Sequence, residues 1–167
     1  MIRTDSVAAD FLPLNGTDYI EFYVGNAKQS AYYYRAAFGF ELIAYAGPET
    51  GVRDRASYVL KQGKVRLVLT TPMHPDSPIN AHIAQHGDGV KVLALWVDDA
   101  EAAYHTAIRR GAESAFAPHT LRDQHGEVVL AAMKCEPLNE MHEEVSSCGV
   151  NVIGMDVGPL ALYNAFR

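Results

Sequence analysis

Cysteine is nearly absent from this 167-residue sequence: none stands before Cys135, and the only other is Cys148. Two thiols give neither a disulfide framework nor the repeated pairs of a zinc module, so a reducing compartment is expected. Long hydrophobic runs are also missing. Nothing approaches the roughly 18 apolar residues of a membrane-spanning helix. The first ten residues carry Arg3, Asp5 and Asp10 and lack the apolar stretch of about 7–15 residues that a secretory signal needs. Positive charge is scarce, with 14 Lys and Arg against 20 Asp and Glu, a net −6. No basic patch stands out, which argues against a nucleic-acid footprint. With 8 Pro and 13 Gly, the chain is neither collagenous nor of low complexity. These absences lead to the expectation of a soluble cytoplasmic protein with no nucleic-acid and no membrane partner.

What is present is an ordinary globular composition, 49% hydrophobic and 20% charged. A chain of this length can bury a core as one domain or as two fused modules. Its charge is unevenly spread. Residues 1–134 hold 15 acidic and 13 basic side chains, a balance of −2, whereas residues 135–167 hold 5 and 1, a balance of −4. Both cysteines share that last segment.

Periodicity assigns the elements. Asp18 to Val24 is β-branched and aromatic enough for a strand, and Asn26 with Gln29 fits a capping box opening a helix. Ala27, Ala31, Tyr34 and Phe38 recur at helical spacing, and Gly39 closes the helix. Phe40 to Ala46 is the next strand. Arg55 to Lys61, Gln62-Gly63 and Lys64 to Thr70 read as a hairpin. A connector over 72–89 contains Pro72, Pro75 and Pro78 and a short helix near Asn80 to Gln85.

The pattern then repeats. Val90 to Val97 is an apolar strand, Asp98 with Glu101 fits a second capping box, and Ala100, Ala103, Tyr104, Ala107 and Ile108 share one helix face ahead of Gly111. Glu113 to Ala117, a turn at Pro118, Thr120 to Gln124 and Glu127 to Lys134 supply three further strands. Val24 matches Val97 and Gly39 matches Gly111, an offset of 72–73 residues. The expected fold class is α+β: two tandem βαβββ modules and a short C-terminal extension. The organisation is an arm over 1–12, a paired-module domain over 13–134, with module one about 18–71 and module two 90–134, and an atypical tail over 135–167. The tail is expected to be a poorly packed helix and coil, although its run VNVIGMDVGPLALYNAF could add an edge strand.

Four motifs in order, E-F-x-V-G-N-A-K-Q (Glu21 to Gln29), E-T-G-x-R (Glu49 to Arg53), K-Q-G-K (Lys61 to Lys64) and H-G-D-G-V (His86 to Val90), carry a resemblance. From roughly Pro13 to Lys134 the sequence resembles the N-terminal half of 4-hydroxyphenylpyruvate dioxygenases, of the vicinal oxygen chelate superfamily. The resemblance implies a non-haem Fe(II) enzyme family of tyrosine degradation that converts 4-hydroxyphenylpyruvate and O₂ into homogentisate and CO₂. It places the two His and one carboxylate that hold the iron in the C-terminal pair of modules, outside this sequence. After Lys134 the family pattern would continue with a Gly-Asp-containing stretch closing the last strand, and the tail here does not follow it. A truncated, frameshifted or chimeric reading is therefore expected, leaving a non-catalytic scaffold and homo-oligomer contact that meets an aromatic 2-oxo acid only together with the iron-bearing half.

The sequence offers few residues for chemistry of its own. The metal-bearing positions that the resemblance implies lie near the first and last strands of each module. They fall on Tyr19 and about Val92, on Leu69, Thr70 and Thr71, and on Met133 and Lys134, which are not a first-row metal set. His82 and His86 form an i, i+4 pair without a third ligand and read as a helix end. Asp98, Asp99 and Glu101 read as helix-capping carboxylates. Tyr32, Tyr33 and Tyr34 divide between sheet packing and surface, and His119, His125, Cys135 and Cys148 have no evident catalytic partner. No catalytic, cofactor-binding or metal-ligating residue is expected, and Fe(II) belongs to the longer family enzyme. Two alternatives stay open: a metal-free small-molecule module with Phe22, Tyr23, Tyr58 and Trp96 as aromatic walls, and a fragment of a 4-hydroxymandelate synthase. A glyoxalase-like isomerase would need ligands at Tyr19 and Val92.

Overall fold

A computed structural model of the chain describes residues 10–123, 126–134 and 160–165. His125, Cys135, Cys148 and the helix expected near Pro137 lie outside the described residues. The first half runs β1 (Gly16–Tyr23), α1 (Ala27–Phe38), β2 (Glu41–Ala46), β3 (Arg55–Gln62) and β4 (Val65–Pro72). A connecting helix α2 (Pro78–His86) follows. The second half runs β5 (Gly89–Trp96), α3 (Ala100–Arg109), β6 (Glu113–Asp123), β7 (Gly126–Lys134) and β8 (Leu160–Ala165).

The eight strands form one sheet in the order β2-β3-β4-β1-β5-β8-β7-β6. Each half pairs its first and last strands in parallel, β1 with β4 and β5 with β8, and joins the rest antiparallel. The halves meet where β1 runs antiparallel to β5. An offset of 73 residues carries Gly16–Tyr23 onto Gly89–Trp96, so the sequence repeat is a structural one.

Capping chemistry sets the helix bounds. Asn26 is extended, with φ −145°, and its side chain accepts the Gln29 N–H at 3.0 Å. At the other end Gly39 takes φ 74°, its N–H reaches the Arg35 carbonyl at 3.2 Å and the Phe40 N–H reaches Tyr34 at 3.3 Å. The Gly39–Arg35 bond is that of the αL cap, which needs a left-handed residue at this position. Gly39→Ala is expected to cost about 1–2 kcal/mol, read as a lower urea midpoint at unchanged slope.

One core lies beneath each helix. Ala27 and Ala31 of α1 pack with Val24, Leu60, Leu67 and Leu69, and Ala100, Ala103, Tyr104 and Ala107 of α3 pack with Val97, Ala131 and Met133. Small alanines let each helix sit close to its sheet. Tyr104 keeps its hydroxyl satisfied by donating to Ser114 Oγ at 2.6 Å.

Four expectations need correction. Phe38 is on the surface, edge-on to Tyr33 and tilted against Tyr34 at ring separations of 5.6 and 5.9 Å, because the helix face that meets the sheet is already filled by alanines. The α3 cap is Asp99, which accepts the Ala102 N–H at 2.9 Å, while Asp98 accepts from Asn15 Nδ2 at 2.6 Å. Pro118 makes no turn between strands. It lies inside β6, where the pairing register shifts between Phe116 and His119, and an edge-strand bulge tolerates its missing N–H.

The last correction concerns the tail. Splitting β6 at Pro118 supplied the expected strand count too early. The fourth strand of module two is Leu160–Ala165, within the supposed extension, and it sits between β5 and β7. That is an interior place in the sheet.

Candidate functional site

Strand alternation separates two faces. Ile20, Phe22, Tyr58, Leu60, Leu67 and Leu69 all belong to the core under α1. Residues between them, Glu21, Tyr23, Ser57 and Thr70, therefore turn to the opposite, inner face of the first half. There Thr70, fully buried, donates its hydroxyl to Glu21 Oε1 at 2.7 Å and lies 2.9 Å from Ser57 Oγ. Burial pushes the Glu21 carboxyl above its usual range, and the Thr70 hydrogen bond and the charges of Arg55 and Lys91 pull it back only in part. Burial also raises the Tyr23 phenol, helped by the Glu21 charge. Lys91 Nζ stands 5.9 Å from the Tyr23 ring centroid.

This cluster escaped the reading of the sequence. Glu21 entered there only as the first letter of a motif, since Thr70 and Ser57 are remote in the chain. The available signal was a carboxylate set between the apolar residues Ile20 and Phe22 of β1. A raised carboxyl pKa means that the folded protein holds the proton more tightly than the unfolded chain. The resulting destabilisation is absent below the carboxyl's ordinary value of 4.5, grows as pH rises above it and is complete above the folded value. Glu21→Gln is accordingly expected to raise the melting temperature by a few degrees near neutrality, with the gain vanishing in acid. Melting curves across pH check this; a gain independent of pH would contradict the assignment.

Other candidates fall where packing places them. Tyr19 and Val92 lie on β1 and β5, at equivalent positions of the repeat. Leu69 is in the core under α1, Met133 in the core under α3, and Lys134 pairs with Glu113. Thr71 donates to the Gly25 carbonyl at 3.0 Å. Asp99 caps α3 and Glu101 occupies its first turn. His119 follows the β6 bulge, 5.1 Å from the Phe116 ring. Among the described residues no three of His, Cys, Asp or Glu gather into a metal-sized group.

The four proposed aromatic walls do not converge. Phe22 and Tyr58 pack under α1, whereas Tyr23 and Trp96 stand at opposite ends of the β1–β5 ladder, paired with Gly89 and Gly16. A different open cleft, of about 530 Å³, runs along α1 and is lined by Phe22, Gln29, Tyr33, Tyr34 and Asp88. Tyr32 points to solvent.

The motifs prove to be structural devices. Asp88 Oδ1 accepts the Gly25 N–H at 2.8 Å, so H-G-D-G-V fastens the start of β5 to the end of β1. Gly87, at φ 77°, supplies the turn after α2. In the E-T-G loop the Tyr45 hydroxyl donates to Glu49 at 2.6 Å, which pushes the Tyr45 phenol up to about 12, and a Cβ on Gly47 would meet Tyr45 Oη at 2.1 Å.

Two βαβββ halves joined through their first strands around one eight-stranded sheet define the vicinal oxygen chelate fold. A methylmalonyl-CoA epimerase from Mycobacterium tuberculosis shares it, with a TM-score of 0.62 at 13% identity over 97% of this chain and 94% of that one. Residues 10–136 match the family described as hydroxyphenylpyruvate dioxygenase, N-terminal, and the chain belongs to that family. The 4-hydroxyphenylpyruvate dioxygenase of Tetrahymena thermophila is 47% identical over 124 residues, covering 71% of this chain and 30% of its own. That of Dictyostelium discoideum is 43% identical over 121 residues, covering 72% and 33%. A triple mutant of 4-hydroxymandelate synthase from Streptomyces coelicolor superimposes with a TM-score of 0.74 at 28% identity, over 93% of this chain and 40% of that one. The chain spans about a third of the length of the curated relatives it matches. No helix among the described residues is long and apolar enough to cross a membrane.

Proposed function

We propose that this chain is the non-catalytic N-terminal half of a 4-hydroxyphenylpyruvate dioxygenase system, a scaffold that does not itself turn over substrate. The family reaction would combine 4-hydroxyphenylpyruvate with O₂ to give homogentisate and CO₂, with Fe(II) bound by the other pair of modules. The observation that carries this reading is the donor set of the inner face. A facial iron site needs two imidazoles and a carboxylate with open positions beside them. The first strand of module one carries two carboxylates, Glu21 engaged by Thr70 and Asp18 engaged by Arg66, the positions beside Glu21 hold hydroxyls, and no group of three His, Cys, Asp or Glu forms among the described residues. These residues do not fit the iron, and no step of the reaction is assigned to them.

A scaffold role is also favoured by exposed apolar surface. Tyr33 and Phe38 of α1 and Leu42 and Ile43 of the edge strand β2 are all accessible, which suits contact with a further pair of modules or a second copy. Oxygen uptake and homogentisate formation with 4-hydroxyphenylpyruvate, after reconstitution with Fe(II), test the proposal. Neither should rise above the buffer rate; turnover by this chain alone would overturn it. Saturable binding of aromatic 2-oxo acids by the iron-free chain would instead favour a ligand-binding module.

A further inference from the structure

The histidines His82 and His86 were expected to read as a helix end. The structure extends α2 as far as His86 and sets the two imidazoles beside each other, with ring centroids 4.7 Å apart and planes inclined at 46°. The Tyr23 ring stands edge-on to His82 at 5.4 Å and limits how far that imidazole can swing. The pair lies in the last turn of α2, immediately before the Gly87 turn into β5.

We propose that His82 and His86 form a two-imidazole chelate for a divalent cation of the Ni(II) or Cu(II) class. An imidazole nitrogen bonds such an ion at about 2.0–2.1 Å, which puts the ring centroid about 3.2 Å from the metal. Two centroids 4.7 Å apart then subtend about 95° at the ion. That is the cis angle of a square-planar or octahedral site and is narrower than the tetrahedral angle zinc prefers. Imidazole ligation and the order of divalent affinities favour the same two ions over Fe(II). Because no third His, Cys, Asp or Glu joins the group among the described residues, water would complete the coordination sphere. Asp88, two residues beyond His86, is held on the Gly25 N–H by one carboxylate oxygen. The pair adjoins the Glu21 cluster at the Tyr23 ring but takes no part in the iron chemistry of the family, so its failure would leave the scaffold reading untouched.

Paramagnetic broadening by Ni(II) reads the site in the intact chain. The sequence has 7 His, and substoichiometric Ni(II) should broaden the ring resonances of two of them, His82 and His86, ahead of the other five. His86→Ala should raise the Ni(II) concentration needed to broaden His82 by about 100-fold, the loss expected when a chelate becomes a single ligand. His82→Ala should do the same to His86. Titration of the wild-type chain does not depend on either variant folding. Broadening spread evenly over all the histidines, or appearing first elsewhere, would overturn the proposal, as would affinity unchanged in both variants.

Discussion

A chain ending at Lys134 is expected to lose the ordered second half and to aggregate or precipitate. In the full chain β8 is an interior strand, parallel to β5 over Leu93–Trp96 and antiparallel to β7 over Val128–Met133. Without it both neighbours become open edges with unpaired backbone groups, the condition that invites pairing with other chains. Each lost backbone hydrogen bond is worth about 0.5–1.5 kcal/mol net. Two ladders together therefore take away a sum comparable to the whole margin of about 5–15 kcal/mol on which a domain survives. The first half has its own closed order, β2-β3-β4-β1, and its own core, so the damage should concentrate in residues 89–134. Size-exclusion chromatography and amide exchange of the shortened chain check this. A monomer with a full cooperative melt would contradict it.

Leu60→Ala is expected to cost about 2–5 kcal/mol, the range for a buried Leu truncated to Ala where the surroundings relax only in part. Leu60 is fully buried beneath α1 among Ala27, Ala31, Leu67 and Leu69, and the alanines opposite are too small to fill the vacated space. The matched control is Leu42→Ala on the exposed edge strand β2, which should stay within about 0.5 kcal/mol. Urea unfolding of both variants measures the contrast. Equal costs at the two positions would mean that α1 does not pack on this face of the sheet.

Local signals made the first half legible. Asn26 and Gly39 bound α1 because capping and the left-handed turn are written in single residues, and the β3–β4 hairpin is announced by Gln62-Gly63 between two β-rich runs. Module two was harder. Pro118 looks like a turn when the register of its partner strand is unknown, and only the pairing of β6 with β7 shows it absorbed in a bulge. β8 was misplaced for a related reason: an apolar run in a compositionally odd tail can be assigned an interior position only once a vacant slot between β5 and β7 is visible. Glu21, Thr70 and Ser57 meet through sheet pairing alone. The four motifs identified the family, and their physical duties, such as Asp88 clasping Gly25, required coordinates.

The central claim is that the chain forms two equivalent modules, the second closed by β8. Residue-resolved amide hydrogen exchange on the full chain tests it most directly. Ala161, Leu162 and Tyr163 pair with Ala94, Leu95 and Trp96 on one side and with Ala132, Ala131 and Leu130 on the other. Their amides should exchange as slowly as those of β5. Exchange of residues 160–165 at the rate of an unfolded peptide, with β5 and β7 still protected, would contradict the account.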